Sequence, residues 1–280
     1  MGALALVLAL GSSVVWGTAD FGGGSLTRRL PVFPVTVFSQ AAGFVALIVA
    51  VAIRGGDVGG RSFALGLLAG LGGGAGLAAF YRALSLGTMS VVSPIVACGA
   101  VVPFAISLAT GERPARIAVV GAVLALGGAV LASLEERRSD SPERARAVVL
   151  ALVAAIVLGL FVYFLGLGSR QGDALSTLFG ARVGSLTLLV TLALVQRAPL
   201  RIARVSLPAV ALVGLADVTA NALFAFASGH GLLALVSVLG SLYPIVTVVL
   251  AYMLLGERLT RAQRAGVAIA MAGVVAIAAA

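Results

Sequence analysis

The sequence has no lysine, one cysteine, one histidine and only ten acidic residues in 280. Each shortage excludes something. Charged residues make up 10% of the chain, against about 25% in an ordinary soluble domain. So few charges cannot cover a water-facing surface of this size, so the chain must use lipid as its solvent. Cys98 stands alone in an apolar stretch and supports neither a disulfide nor a cysteine metal cluster. His230 is the only histidine, which rules out zinc motifs built on paired histidines. It also argues against the Ser–His and His-pair sites of intramembrane proteases. All 19 cations are arginine and the net charge is +9. They sit in short gaps between apolar runs, the pattern of membrane-flanking anchors and not of a nucleic-acid surface. No catalytic residue, metal or cofactor is expected.

What the chain has in abundance is apolar sequence, 61% of its residues. A membrane-spanning helix needs about 20 mostly apolar residues. Ten runs meet that requirement: 2–22, 32–53, 62–82, 89–110, 115–133, 147–168, 174–195, 207–228, 232–255 and 262–279. Two long uncharged stretches need dividing. Ser228-Gly229-His230-Gly231 is the natural break in one, and Ser85-Leu86-Gly87-Thr88 in the other. The first run, Met1 to Phe21, lacks the basic segment of a signal peptide, and the apolar pattern continues beyond it. It reads as a first transmembrane helix. No globular domain is left over.

The most polar segment, Glu135 to Arg146, lies at the midpoint and carries Pro142. A charged linker there prompts a search for a duplication. Gly111-Glu112-Arg113 recurs 145 residues later as Gly256-Glu257-Arg258. At the same offset Arg116 matches Arg261, Gly121 matches Gly266, and Gly128 matches Gly273. Trp16 falls on Phe161 and Tyr81 on Phe226. The expected plan is therefore two five-helix repeats, 1–134 and 147–280, joined by the 135–146 linker. Five spans per repeat make the second copy enter the membrane from the opposite face. The fold class is then all-α, ten transmembrane helices in two inverted repeats, the plan of many secondary transporters.

These residues resemble a known family. Trp16-Gly17-Thr18-Ala19-Asp20-Phe21 is similar to the opening of the drug/metabolite transporter superfamily, EamA-like branch. The run from Tyr243-Pro244 to Leu255-Gly256-Glu257-Arg258-Leu259 resembles that family's fourth-helix ending. Arg264-Ala265-Gly266 through Ala272-Gly273 resembles its last helix, and Pro103 with Gly111-Glu112-Arg113-Pro114 is a weaker first copy. The resemblance covers nearly the whole chain. It implies ten helices around a central cavity and carriage of metabolites such as amino acids, drugs or sugars. The family often has an arginine early in the second helix of each repeat. Arg182 fits, but Gln40 stands near that place in the first half. The halves are not chemically equivalent there.

Charges inside a bilayer are costly and usually face a cavity or a partner. Asp20, Arg82, Arg182 and Asp217 are the candidates. Asp217 is the sharpest, one helical turn before Asn221 on the same face. That face suits a substrate amine or a proton; the alternative is an Asp217–Arg ion pair that only fixes packing. Asp20 either faces the cavity or reaches the interface beside Gly22-Gly23-Gly24. Arg182 can clamp a substrate carboxylate with its planar fork of donors, or pair with Asp217 or Asp20. Arg82 ends its span and reads better as a snorkelling side chain. Among aromatics, Trp16, Tyr81, Tyr163 and Tyr243 suit a half-wet cavity wall and suit an interface belt equally. The expected substrate-binding set is Trp16, Asp20, Tyr81, Tyr163, Arg182, Asp217, Asn221 and Tyr243. Pro94 and Pro244 are candidate hinges, since each removes a helical hydrogen bond. Gly66, Gly70 and Gly74 repeat every four residues and read as helix packing. The two Glu-Arg pairs read as turn and capping residues.

The expected function is secondary transport of a small molecule, export favoured, in the plasma membrane. Proton coupling, and the choice between monomer and homodimer, are left open. An intramembrane enzyme, a scaffold and a channel are the alternatives. Loops after odd-numbered spans carry 13 arginines and the opposite loops 5. Cytoplasmic loops hold the excess of positive charge, which places the linker inside and both termini outside.

Overall fold

The computed structural model describes residues 2–55, 57–87, 89–132, 142–255 and 260–279. Among them the chain is entirely helical. In the first half α1 spans Ala3–Thr27, α2 Val32–Arg54, α3 Gly60–Leu86, α4 Met89–Ala97, α5 Val101–Ala109 and α6 Arg116–Ala132. In the second, α7 spans Pro142–Gln171, α8 Ala174–Val195, α9 Leu207–His230, α10 Leu233–Gly240, α11 Tyr243–Leu255 and α12 Arg261–Ala278. Seven helical spans are long and apolar enough to cross a bilayer, and Ile95–Ala109, Arg116–Gly128 and Arg264–Ile277 are shorter apolar helices. Together they make the ten expected spans. Their outward faces carry exposed Ile53, Val123, Leu194 and Met253, which only a lipid solvent rewards.

Helix α7 takes in Pro142 to Arg146 of the segment read as linker. Proline is well placed in a first turn, where its missing N–H is not needed. The rest of the linker and the second Gly-Glu-Arg lie outside the described residues. Helix α9 continues through Ser228-Gly229 to His230, so the break before α10 falls at Gly231-Leu232.

The fourth and ninth spans are each broken. A 3₁₀ turn at Cys98–Ala100 separates α4 from α5, and a turn at Ser241-Leu242 separates α10 from α11. At the offset of the duplication Cys98 corresponds to Tyr243, so the breaks are equivalent. Proline explains both: Pro103 cannot donate to the Gly99 carbonyl, nor Pro244 to that of Gly240.

Packing exchanges the halves. Helix α3 lies along α7 and α8, and its counterpart α9 lies along α1 and α2. Helix α4 packs on α7, and its counterparts α10 and α11 pack on α1. The fifth and tenth spans, α6 and α12, pack on each other, as do α2 and α8. These contacts pair up across the duplication, as a pseudo-two-fold axis requires. The matched glycines make the α6–α12 contact possible. A Cβ on Gly121 would meet the Gly273 carbonyl, and one on Gly128 would meet Gly266 and Ala270. The Gly66, Gly70 and Gly74 stripe packs against the Thr177, Ala181 and Ser185 backbone of α8, as small residues at a close helix crossing do.

Candidate functional site

Nine of the helices leave a cavity of about 110 Å³ at the centre of the bundle. Among the described residues, α5 adds nothing to its lining, nor do α6 and α12, which pack on each other. The walls differ. Helices α3, α4 and α7 present Leu77, Phe80, Val96, Phe161, Val162 and Leu165. Opposite them, Trp16 and Asp20 of α1, Asp217 and Asn221 of α9, Ser237 of α10 and Tyr243 of α11 make a polar wall, continued by Gln40, Arg182 and Ser185 at the α2–α8 crossing.

One network holds the polar wall. Arg182 Nη2 donates to Asp217 Oδ2 at 2.6 Å, and Arg182 Nη1 donates to Gln40 Oε1. Gln40 Nε2 and Asn221 Nδ2 each donate to the same Asp217 oxygen at 3.2 Å. Ser185 Oγ donates to Gln40 Oε1 at 2.9 Å. The Arg182 side chain is 5% exposed and that of Asp217 20%. Burying two charges is costly unless the pair is close and further hydrogen-bonded, and this one is both. The Arg–Asp pair read as the alternative role for Asp217 is therefore present, within a pair that also lines the cavity. Gly43 of α2 lets the guanidinium lie close, since a Cβ there would stand 3.3 Å from Arg182 Cζ.

Asp20 behaves differently. Its carboxylate lines the cavity and makes no hydrogen bond or ion pair among the described residues. The buried Asn221 Oδ1 likewise has no partner. Trp16, one turn before Asp20, packs on Phe224 with ring centroids 5.6 Å apart.

Of the eight expected site residues, the structure brings Trp16, Asp20, Arg182, Asp217, Asn221 and Tyr243 to one cavity. Tyr81 and Tyr163 are not on its walls. Tyr81 is 1% exposed, with its ring 5.9 Å from Phe80, and its hydroxyl occupies the space beside Gly23. Tyr163 packs edge-on against Phe164 at 5.4 Å. Arg82 is exposed at the end of α3, as a snorkelling side chain should be. Pro94 lies within α4, and Pro244 is the second residue of α11. Gln40, Ser185, Phe161 and Ser241 were not singled out as site residues. For Gln40 the signal was available, a polar residue within an apolar span.

The first Gly-Glu-Arg caps two helices. Gly111, at φ +108°, ends α5 with the Glu112 N–H donating to the Ser107 carbonyl at 2.9 Å, a Schellman turn. That turn aims Glu112 across the repeat boundary. Its carboxylate accepts the Leu233 and Ala234 N–H groups at 2.9 Å, capping the N-terminus of α10, and pairs with Arg170. A carboxylate at a helix N-terminus satisfies otherwise unpaired donors and meets the positive end of the dipole. On the same face Asp173 caps α8 through Leu175 and Ser176 and pairs with Arg54 at 2.6 Å. Burial pulls the Asp173 carboxyl up, but the Arg54, Ser176 and Leu175 hydrogen bonds outweigh it and lower its pKa from 3.8 to about 2.

Comparison with known proteins now decides the family. The model of the EamA-like transporter family matches residues 3–134 and again 145–279. The chain belongs to the EamA-like transporter family. The double match is the two-repeat architecture of the fold, and this multi-pass membrane protein is accordingly a transporter of the drug/metabolite type. A crystal structure, described only as that of a protein, superposes with a TM-score of 0.77 over 99% of this chain and 96% of that one. At 18% identity that likeness shows the EamA-like fold alone. No curated protein matches the chain.

Proposed function

We propose that this EamA-like protein exports small metabolites or drugs across the plasma membrane by alternating access, coupled to protons. The observation that carries the proposal is the exchange of packing between the halves around one central cavity. Two interchangeable halves can swap an inward-open for an outward-open shape. Residues 1–134 and 147–280 are the moving units, joined by 135–146, and the arginine-rich face is cytoplasmic. The broken fourth and ninth spans reach the cavity at Gly99 and Ser241, which supports Pro94 and Pro244 as hinges. Asp20, Asp217, Arg182, Asn221, Trp16 and Tyr243 bind the substrate. Tyr81 and Tyr163 support the walls from behind. Asp20 is the exchangeable site, alternately holding a proton and substrate, because Asp217 is already committed to Arg182.

The test is growth of an overexpressing strain against a panel of toxic amino-acid analogues and drugs. Resistance with lowered intracellular accumulation is expected for at least one compound, and Asp20→Asn should abolish it at unchanged membrane abundance. Unaltered sensitivity to the whole panel, with the protein abundant and folded, counts against export. Resistance that survives Asp20→Asn removes Asp20 from the coupling step.

A further inference from the structure

We infer that the cavity selects an organic monocation: a protonated amine on an apolar, aromatic-sized body. This rests on the transport reading for its purpose, but its argument is the chemistry of the walls. Three charged residues line the cavity, Asp20, Arg182 and Asp217. Arg182 and Asp217 neutralise each other at 2.6 Å, which leaves Asp20 as the acidic group on the described walls without a counter-charge. A monocation supplies that counter-charge as Asp20 gives up its proton.

The hydrogen-bond inventory points the same way. Arg182 Nη1 and Nη2 already donate to Gln40 and Asp217, and the Gln40 and Asn221 amide nitrogens to Asp217. The Ser185, Ser237 and Ser241 hydroxyls donate to Gln40 Oε1, the Leu233 carbonyl and the Val238 carbonyl. Among the described residues, the Asp20 carboxyl and Asn221 Oδ1 are the cavity acceptors left without any donor. Asn221 is 5% exposed and its oxygen has no partner. Its orientation is fixed, because the flipped amide would set oxygen against the Asp217 carboxylate. A buried acceptor without a donor is costly, and an ammonium, with up to three donors and no acceptor, satisfies it. The Trp16 indole N–H and the Tyr243 hydroxyl make no hydrogen bond among the described residues, but as neutral donors they cannot balance a carboxylate. Trp16 also offers a ring face one turn from Asp20, which favours a cation.

Opposite the acceptors, the wall of Leu77, Phe80, Val96, Phe161, Val162 and Leu165 has no hydrogen-bonding side chain. A ligand spanning the cavity is therefore amphipathic, with its charge towards α1 and α9 and its apolar part towards α3, α4 and α7.

Trp16 is the only tryptophan in the chain and lies in the cavity wall, so its fluorescence reports occupancy directly. The purified full-length protein in detergent at neutral pH is titrated with three probes of similar size: 2-phenylethylammonium, 2-phenylethanol and 3-phenylpropanoate. The cation should bind about tenfold tighter than the alcohol, the order by which charge-assisted hydrogen bonds exceed neutral ones. The carboxylate should bind weakest. Asp20→Asn should remove the preference for the cation over the alcohol, and Asp20→Glu should keep it. Equal affinity for the three probes, tightest binding of the carboxylate, no binding of the cation, or a preference that survives Asp20→Asn overturns the inference. Binding in detergent needs no flux. Selective binding without transport would leave this inference standing and remove the transport reading, and transport without cation selectivity would do the reverse.

Discussion

The cavity's two walls are symmetry mates, yet one is polar and the other apolar. Helices α1, α9, α10 and α11 correspond through the duplication to α7, α3 and the α4–α5 span. At the 145-residue offset Asp20 has Leu165 as its mate, Asp217 has Gly72, Asn221 has Gly76 and Trp16 has Phe161. The glycines on α3 let it close on α7, since a Cβ on Gly72 would meet the Val157 carbonyl and one on Gly76 the Leu158 side chain. The same positions on α9 hold side chains that reach the cavity. The duplication has kept the backbone contacts and divided the chemistry. Symmetry serves the exchange of shapes, and asymmetry gives the bound molecule one orientation.

If the polar wall depends on the Arg182–Asp217 pair, breaking the pair should have the largest effect. Asp217→Leu leaves Arg182 buried and unpaired and should lower stability by about 3–5 kcal/mol. Adding Arg182→Leu should recover most of that loss without restoring transport. Thermal unfolding in detergent reads both variants. A single variant as stable as the parent would show that the wall does not rest on this pair.

Where the halves are equivalent, mates should respond alike. Gly128→Ala and Gly273→Ala each drive a Cβ into the facing backbone, near Ala270 and Ala125 respectively, and each should cost about 1–3 kcal/mol. Gly127, with nothing within 4 Å of its Cβ position, should gain about 0.5–1 kcal/mol as Gly127→Ala. Costs that differ widely between the Gly128 and Gly273 variants would break the symmetry argument at α6 and α12.

Where the halves differ on the loops, effects should be smaller. Arg170 has Ser25 as its mate, so Arg170→Ser gives one half the other's residue. It removes the ion pair but spares the α10 cap and should cost under about 1 kcal/mol, whereas Glu112→Ala loses the cap as well and should cost about 1–2 kcal/mol. Equal losses would mean that the cap contributes nothing.

The smallest effect is expected at Asp173, whose side chain is 41% exposed. Its carboxyl is depressed from 3.8 to about 2 in the fold. The charged form therefore stabilises the protein above 3.8, and that contribution is lost as pH falls from 3.8 towards 2. Asn also caps helices, so Asp173→Asn isolates the charge and should cost no more than about 1 kcal/mol at neutral pH. Stability curves of parent and variant should converge as the medium is acidified; a constant gap would assign the effect to the cap alone.

Much of this was legible in the sequence. Apolar run lengths located the ten spans, and Gly-Glu-Arg with its matched glycines revealed the duplication because helix ends and crossings tolerate few substitutes. Helical phase was not legible. Spans apolar on every side carry no periodic signal, so nothing in the sequence placed Asp217 against Arg182 while leaving Asp20 free, or turned Tyr81 towards Gly23. The reach of Glu112 to Leu233 joins residues 121 apart, and only tertiary structure creates that contact. Pro94 and Pro244 were the candidate hinges, but the equivalence of the two breaks across the repeat needed the backbone.

Alternating access requires that the two faces of the protein open in turn. With Cys98 replaced by Ser, spin-label pairs at Gln171 and His230 on one face, and at Arg28 and Arg82 on the other, occupy exposed helix ends. Distance distributions by pulsed electron spin resonance in liposomes should be inversely related: conditions that lengthen the Gln171–His230 distance should shorten the Arg28–Arg82 distance. Distances that stay fixed under every pH and substrate condition, or that lengthen together, would contradict alternating access.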